Sequence, residues 1–188
     1  MYVEEITAYR PQNQQEAADQ AMILDYIRRF PDTILTRENP IAHLTSSGFV
    51  VNADASRVLM AHHNIYQVWA WTGGHVDGEE DFLAVALREA REETGIVHIR
   101  PLSTAIASLD ILPVWGHVKR GNYVCAHQHL NVSYLLLADE GDALASRPEE
   151  NSRVGWLPAD QLSTYTNEWQ MDGVYSKLLQ RARTLLDV

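Results

Sequence analysis

Six carboxylates fall within fifteen residues near the middle of this chain: Glu79, Glu80, Asp81, Glu89, Glu92 and Glu93. A run of this kind is ordinarily a solvated helix face, so the spacing has to decide. An α-helix advances ~100° per residue. With Glu89 at zero, Glu92 falls near −60° and Glu93 near +40°, so three carboxylates share an arc of about 100°. Leu83, Ala86, Leu87 and Ala90 occupy a separate arc and can face a core. Like charges three and four apart destabilise a helix by ~0.2–0.5 kcal/mol per pair. A hard divalent cation, Mg²⁺ or Mn²⁺, would relieve that repulsion, because carboxylate oxygens are the ligands such ions prefer. Arg88 and Arg91 could neutralise part of the face without any metal.

The wider pattern separates the two readings. Gly74 is followed after five residues by Glu80, and after seven more by Arg88-Glu89-Ala90-Arg91-Glu92-Glu93-Thr94-Gly95-Ile96. This resembles the Nudix box, G-x5-E-x7-R-E-U-x-E-E-x-G-U, with U an apolar residue. All seven fixed positions agree, and Ala90 and Ile96 fill both apolar ones. At average composition a chance match is on the order of one in a million chains or rarer. The likeness extends from about Leu44 to Leu162.

The resemblance implies an α/β fold, an α/β/α sandwich with a mixed sheet. It also implies hydrolysis of a phosphoanhydride in a nucleoside diphosphate linked to another moiety, through attack by water at phosphorus. By position, Glu92 and Glu93 match the main metal-binding glutamates. Glu89 matches a residue that binds metal or acts as base. Arg88 matches the arginine that orients those carboxylates, and Gly73 a glycine whose carbonyl binds metal. Glu80 matches the glutamate that holds loop and helix together, and Gly74 and Gly95 match the fixed glycines. Glu150, six residues before Trp156, resembles a further family glutamate that binds metal or serves as base; the bland alternative is an ordinary loop glutamate. The implied cofactor is Mg²⁺ or Mn²⁺. Divalent ions neutralise the phosphate charge, polarise the phosphoryl oxygen and acidify bound water, and a carboxylate can accept the proton. Two departures stand out: Thr72 where many members carry proline, and the order Gly78-Glu79-Glu80 in the loop.

A second set of chemically able residues lies between Asp110 and Asn131: His117, Lys119, Arg120, His127 and His129. His127 and His129 point to one face if they begin a strand. They contact substrate, bind a metal, or lie solvated at a strand end; two histidines are too few for a zinc site. Lys119-Arg120-Gly121 is the best local candidate for holding a phosphate in an otherwise acidic protein. Trp115 and Tyr123 could stack on a nucleobase, whereas Trp69 and Trp71 at strand positions read as core. The four-cysteine module of NADH pyrophosphatases is absent, and Cys125 lies after the box rather than ahead of it as in isopentenyl diphosphate isomerases. Pro113 stands close to a proline of ADP-ribose pyrophosphatases. Oxidised nucleoside triphosphates fit equally. A non-catalytic nucleotide or ADP-ribose sensor of the same fold is the competing reading, and the intact carboxylates favour catalysis.

Elements that could position these residues are readable. Gln14 to Phe30 carries Ile23, Tyr26, Ile27 and Phe30 at helical spacing, with Asn13 and Glu16 as a capping box and Pro31 as the stop. Leu44–Val51, Arg57–His62 and Val68–Trp71 are β-prone, and Gly73-Gly74 then breaks the chain. Phe82 to Glu93 is a helix, with Asp81 as N-cap and Gly95 just past its end. Val97–Leu109 holds strand-like runs, His129–Ala138 is the clearest strand, and Val154–Leu157 is a short one. Gly173 to Leu186 reads as a covering helix. The expectation is one Nudix-like domain over 1–188, with a helical extension over 1–40 and a terminal helix over 170–188.

Composition sets outer limits. With 188 residues, 46% of them hydrophobic, the chain can build one full core. No stretch of ~18 apolar residues is present, so no membrane span is expected. A single cysteine rules out an internal disulfide, and the polar first ten residues lack a signal peptide's apolar core. Both point to the cytoplasm. A net charge of −10 argues against non-specific nucleic-acid binding. The expected partner is a small nucleotide-type substrate, and a homodimer is compatible with the sequence.

Overall fold

Hydrophobic residues on both faces of one long strand determine the layering. The computed structural model describes residues 2–65, 67–119 and 121–188. Strand β1 (Ala42–Val51) is buried along its whole length, as a strand covered on both sides must be. Its alternate residues divide between two cores. Leu44 and Val50 face one built with helices α1 (Tyr2–Ala8), α2 (Gln14–Arg29) and α3 (Phe82–Thr94). Phe49 and Val51 face the other, which Val174, Tyr175 and Leu178 fill from helix α5 (Trp169–Leu186). Short helical turns at Ala159–Gln161 and at α4 (Leu162–Thr166) precede α5. This is the α/β/α sandwich with a mixed sheet that the sequence leads one to expect.

The sheet is mixed because β1 pairs in parallel with β9 (His127–Ala138), from Ala42 opposite Gln128 to Val51 opposite Leu137. Its other edge is shared by two antiparallel partners: β2 (Arg57–His63) at the C-terminal end and β4 (Thr72–His75) at the N-terminal end. The short β3 (Trp69–Ala70) and β10 (Asn151–Pro158) pair with β2, and β5 (Ile99–Pro101) and β6 (Ser108–Val114) pair with β9. A separate hairpin, β7 (His117–Lys119) and β8 (Asn122–Val124), rises between β6 and β9.

Three features depart from the sequence reading. Gly73 and Gly74 do not break the strand. They continue it, paired with Ser47 and Ser46 of β1, because β1 offers them a complete ladder. The segment between Trp115 and Cys125 contains the β7–β8 hairpin. The polar N-terminus forms α1, which buries Ile6 and stacks Tyr2 on Phe82 with ring centres 5.3 Å apart.

Towards the N-terminal end of β1 the second face changes character. His43, Thr45 and Ser47 replace apolar residues there, opposite His129, Asn131 and Ser133 of β9. The buried Asn131 carbonyl oxygen accepts hydrogen bonds from Thr45 Oγ1 at 2.9 Å and Ser47 Oγ at 2.8 Å. Its amide donates to Ser133 Oγ at 2.9 Å. The sheet thus provides a polar floor beside the Gly73-Gly74 strand.

Candidate active site

The loop from Val76 to Asp81 delivers the chain from β4 into α3. It is latched to the segment before β1: Gly78 N–H donates to the Leu35 carbonyl at 2.9 Å, and Arg37 grips Asp77 through two bonds of 3.0 and 2.7 Å. Asp81 caps α3 by accepting the Ala84 N–H at 2.9 Å. Gly95 ends the helix with φ of 71°, a conformation glycine adopts without penalty. Glu80 is exposed. Glu79 Oε1 accepts the N–H groups of Glu80 at 3.0 Å and Asp81 at 3.3 Å within the same loop.

With Val85, Ala86 and Ala90 anchored in the core, the acidic face of α3 is pressed against β4. A Cβ on Gly74 would lie 2.6 Å from Cδ of Glu89, and one on Gly73 would lie 2.4 Å from Ser47 Oγ. Side chains at these positions would exclude the carboxylate on one side and the sheet on the other. The Gly73 N–H donates to Glu93 Oε1 at 3.0 Å. Burial pushes the Glu93 carboxyl up to about 8, opposed by that hydrogen bond and the Arg147 charge and aided by the nearby charges of Glu89 and Glu150. Burial also raises Glu89, although the Arg88 guanidinium 3.3 Å away opposes the shift.

Glu150 joins the cluster from the loop before β10, close enough to act electrostatically on both Glu89 and Glu93. Arg147, which the spacing did not single out, organises this side. Its guanidinium lies 3.1 Å from Glu92, 3.1 Å from Glu149 and 3.4 Å from Glu150. Asn151, buried, accepts the Arg147 N–H at 2.9 Å and donates to the Glu93 carbonyl at 3.0 Å, tying the loop to the end of α3. A basic residue three positions before Glu150 was the only local signal for this arrangement.

The donor set suits a hard divalent cation. It offers carboxylate oxygens on adjacent turns, and Glu93 is half-buried, with Arg147 the positive charge acting on it. The predicted phosphate-holding residues lie on the hairpin. Lys119 ends β7, and its charge acts on His63 and His75. Arg120 lies outside the described residues. Trp115 and Tyr123 are exposed by 69% and 70%, whereas Trp69 and Trp71 pack against the α5-side core. His127 and His129 do share a face, and they meet His43 and His75 there. Neither of these partners was identifiable from local spacing.

A match to the NUDIX domain covers residues 42–181, most of the chain. The chain belongs to the Nudix family. Among curated proteins, it is 31% identical over 118 residues to a CMP-5'-(N-acetyl-N-hydroxy-3-aminopropyl)phosphonate hydrolase of Streptomyces rubellomurinus. The aligned region is 60% of this chain and 50% of that protein, so the chain spans about half the length of the curated relative it matches. Among solved structures, it resembles the Escherichia coli dihydroneopterin triphosphate pyrophosphohydrolase, with a TM-score of 0.54, 16% identity and coverage of 73% and 95% of the two chains. A Caenorhabditis elegans Ap4A hydrolase gives a TM-score of 0.52 at 15% identity, covering 75% and 98%. At such identities these structures establish the shared Nudix fold. No helix among the described residues is long and apolar enough to cross a membrane.

Proposed function

We propose that this Nudix protein is a divalent-metal-dependent hydrolase that cuts a phosphoanhydride bond in a nucleoside diphosphate-linked substrate. The observation that carries the reading is the convergence of Glu89, Glu93 and Glu150 on the Gly73-Gly74 strand, with a glycine where any Cβ would displace Glu89. The relative's name, a hydrolase of a CMP-linked phosphonate, supports a nucleotide-type substrate.

Glu92, Glu93 and the Gly73 carbonyl would hold Mg²⁺ or Mn²⁺. When bound, the ion supplies charge neutralisation and polarises the phosphoryl oxygen under attack. The chain's own residues do the rest. Glu89, half-buried and raised from its ordinary value by burial, is the carboxylate suited to take a proton from water. Arg88 positions its carboxylate. Glu150 is the alternative base, and Arg147 holds it beside Glu92. Lys119 of the β7–β8 hairpin is assigned to the substrate's phosphates, with Arg120 its partner by sequence alone, and the exposed Trp115 and Tyr123 to the base or leaving group.

A panel of nucleoside diphosphate derivatives, assayed with Mg²⁺ or Mn²⁺ and with products identified, tests the reading. Turnover of at least one member, abolished by chelation, is expected. Metal binding without turnover of any member would overturn it, and tight ADP-ribose binding without cleavage would make the chain a sensor instead.

A further inference from the structure

On the face of the sheet turned away from Glu89, a different set of side chains converges. Gly74 pairs with Ser46 and abuts α3, whereas the next residue, His75, pairs with Thr45 over the polar floor. His43 pairs with His129 across the β1–β9 ladder, and His127 precedes His129 by two on the same strand. One ring nitrogen from each of the four histidines lies within 4.8 Å of the others.

Their hydrogen bonds define which nitrogens are available. His43 Nδ1 lies 2.9 Å from the Asn39 carbonyl, and His127 Nδ1 lies 2.8 Å from the Cys125 carbonyl. A carbonyl only accepts, so each Nδ1 carries the hydrogen and each neutral ring presents a bare lone pair at Nε2. Metal-binding histidines typically have this second shell, with the far N–H fixed by a backbone oxygen. His43 Nε2 is buried and has no partner, a costly arrangement unless something else satisfies it. His127 Nε2 lies 3.3 Å from His129 Nε2. Two nitrogens bound to one tetrahedral zinc at ~2.0–2.1 Å would be ~3.3–3.4 Å apart. Burial and neighbouring histidines keep His129 down at about 2, and burial lowers His43, so both rings are neutral and able to ligate at physiological pH.

We propose that His43, His75, His127 and His129 form a binding site for a transition-metal ion of the Zn²⁺ class, separate from the carboxylate site. Four imidazoles without an oxygen ligand select borderline ions over Mg²⁺. Four protein ligands also close the coordination sphere, which is the pattern of a structural rather than a catalytic zinc. The ion would fasten β1, β4 and β9 together at the residue that follows Gly73-Gly74, and so fix the strand against which the glutamates are arranged.

The test uses the whole chain without an affinity tag, stripped of metal by a chelator and titrated with Co²⁺. One equivalent is expected to bind with the strong visible bands of a tetrahedral ion, displaced by one equivalent of Zn²⁺ and untouched by excess Mg²⁺. The Glu92→Gln/Glu93→Gln protein should keep these bands, and the His127→Ala/His129→Ala protein should lose them and bind at least tenfold more weakly. X-ray absorption of zinc-loaded wild-type protein, which depends on no variant's folding, should return four nitrogen neighbours at ~2.0–2.1 Å. An octahedral or absent cobalt spectrum, mainly oxygen neighbours, or bands that follow the glutamates rather than the histidines would overturn the proposal.

Discussion

Glu93 is held by one backbone N–H in a half-buried position, where desolvation disfavours its charge. That has consequences for both catalysis and stability. Replacing it with glutamine keeps an oxygen to accept the Gly73 N–H but removes the negative charge a cation needs. Glu93→Gln is therefore expected to lower kcat by roughly a hundredfold or more, measured on whichever substrate the panel identifies. The stability effect has the opposite sign. The folded-state value of about 8 lies above the ordinary value of 4.5, so the stabilising neutral form is fully available below about 4.5 and is lost as pH rises through about 8. Metal-free wild-type protein should melt at progressively lower temperature between those limits. Mg²⁺ should reduce the decline, and Glu93→Gln should flatten it. A decline of equal slope in the glutamine variant, followed by scanning fluorimetry in chelator, would place the effect on another group. Glu89 differs in being the proposed proton acceptor. Glu89→Gln should remove the acid limb of the kcat profile, whereas Glu150→Gln should leave that limb in place; the reverse pattern would make Glu150 the base.

At the scale of elements, the closeness of α3 to β4 explains the two glycines better than turn formation does. Gly74→Ala inserts a methyl 2.6 Å from the Glu89 carboxyl carbon. The helix must shift or the carboxylate must swing away, and a displacement of about an ångström at a reacting group can cost on the order of a hundredfold in rate. The expected result is a folded protein with near-wild-type circular dichroism and kcat reduced about that much; unchanged kcat would show that Glu89 is not held there for chemistry. This contact also marks how far the sequence could be read. The helix, its Asp81 cap and its Gly95 end were legible because they depend on local periodicity and capping, and the box placed the glutamates on one arc. The strand character of Gly73-Gly74 was not, because glycine's low strand preference is overridden by pairing with Ser47 and Ser46, well back in the chain. Arg147, Asn151, His43 and His75 escaped notice for the same reason. Each acquires its role from pairing between distant segments, which no spacing within either segment reports.

The molecule as a whole is closed by a buried ionic staple far from the box. Glu16, on α2, is fully buried. It lies 2.7 Å from Arg181 and 3.1 Å from Lys177 of α5, and accepts the Gln12 N–H at 2.9 Å. Lys177 continues the network to Asp110 of β6 at 2.5 Å. Local spacing assigns Glu16 only a capping role, and Asn13 does cap α2 by accepting the Glu16 N–H at 2.9 Å; the Glu16 side chain is committed elsewhere. The staple joins the first helices to the last one across the β6 edge, so it resists fraying at both ends of the fold. Burial alone would raise the Glu16 carboxyl, but the Arg181, Gln12 and Tyr9 hydrogen bonds and the Lys177 charge outweigh it and hold the group at about 2. For a carboxylate depressed in the folded state, the stabilisation is fully present above the ordinary value of 4.5 and disappears as pH falls to about 2. Glu16→Gln leaves Arg181, with little solvent, without the carboxylate it pairs with, while Lys177 keeps Asp110; the loss is of the order of 3–5 kcal/mol for a broken buried pair. Urea midpoints should therefore separate wild type from Glu16→Gln clearly near neutrality, and the gap should narrow below about pH 4.5 and nearly close by about pH 2. A gap that stayed constant on acidification would mean that Glu16 contributes by shape and packing rather than by charge.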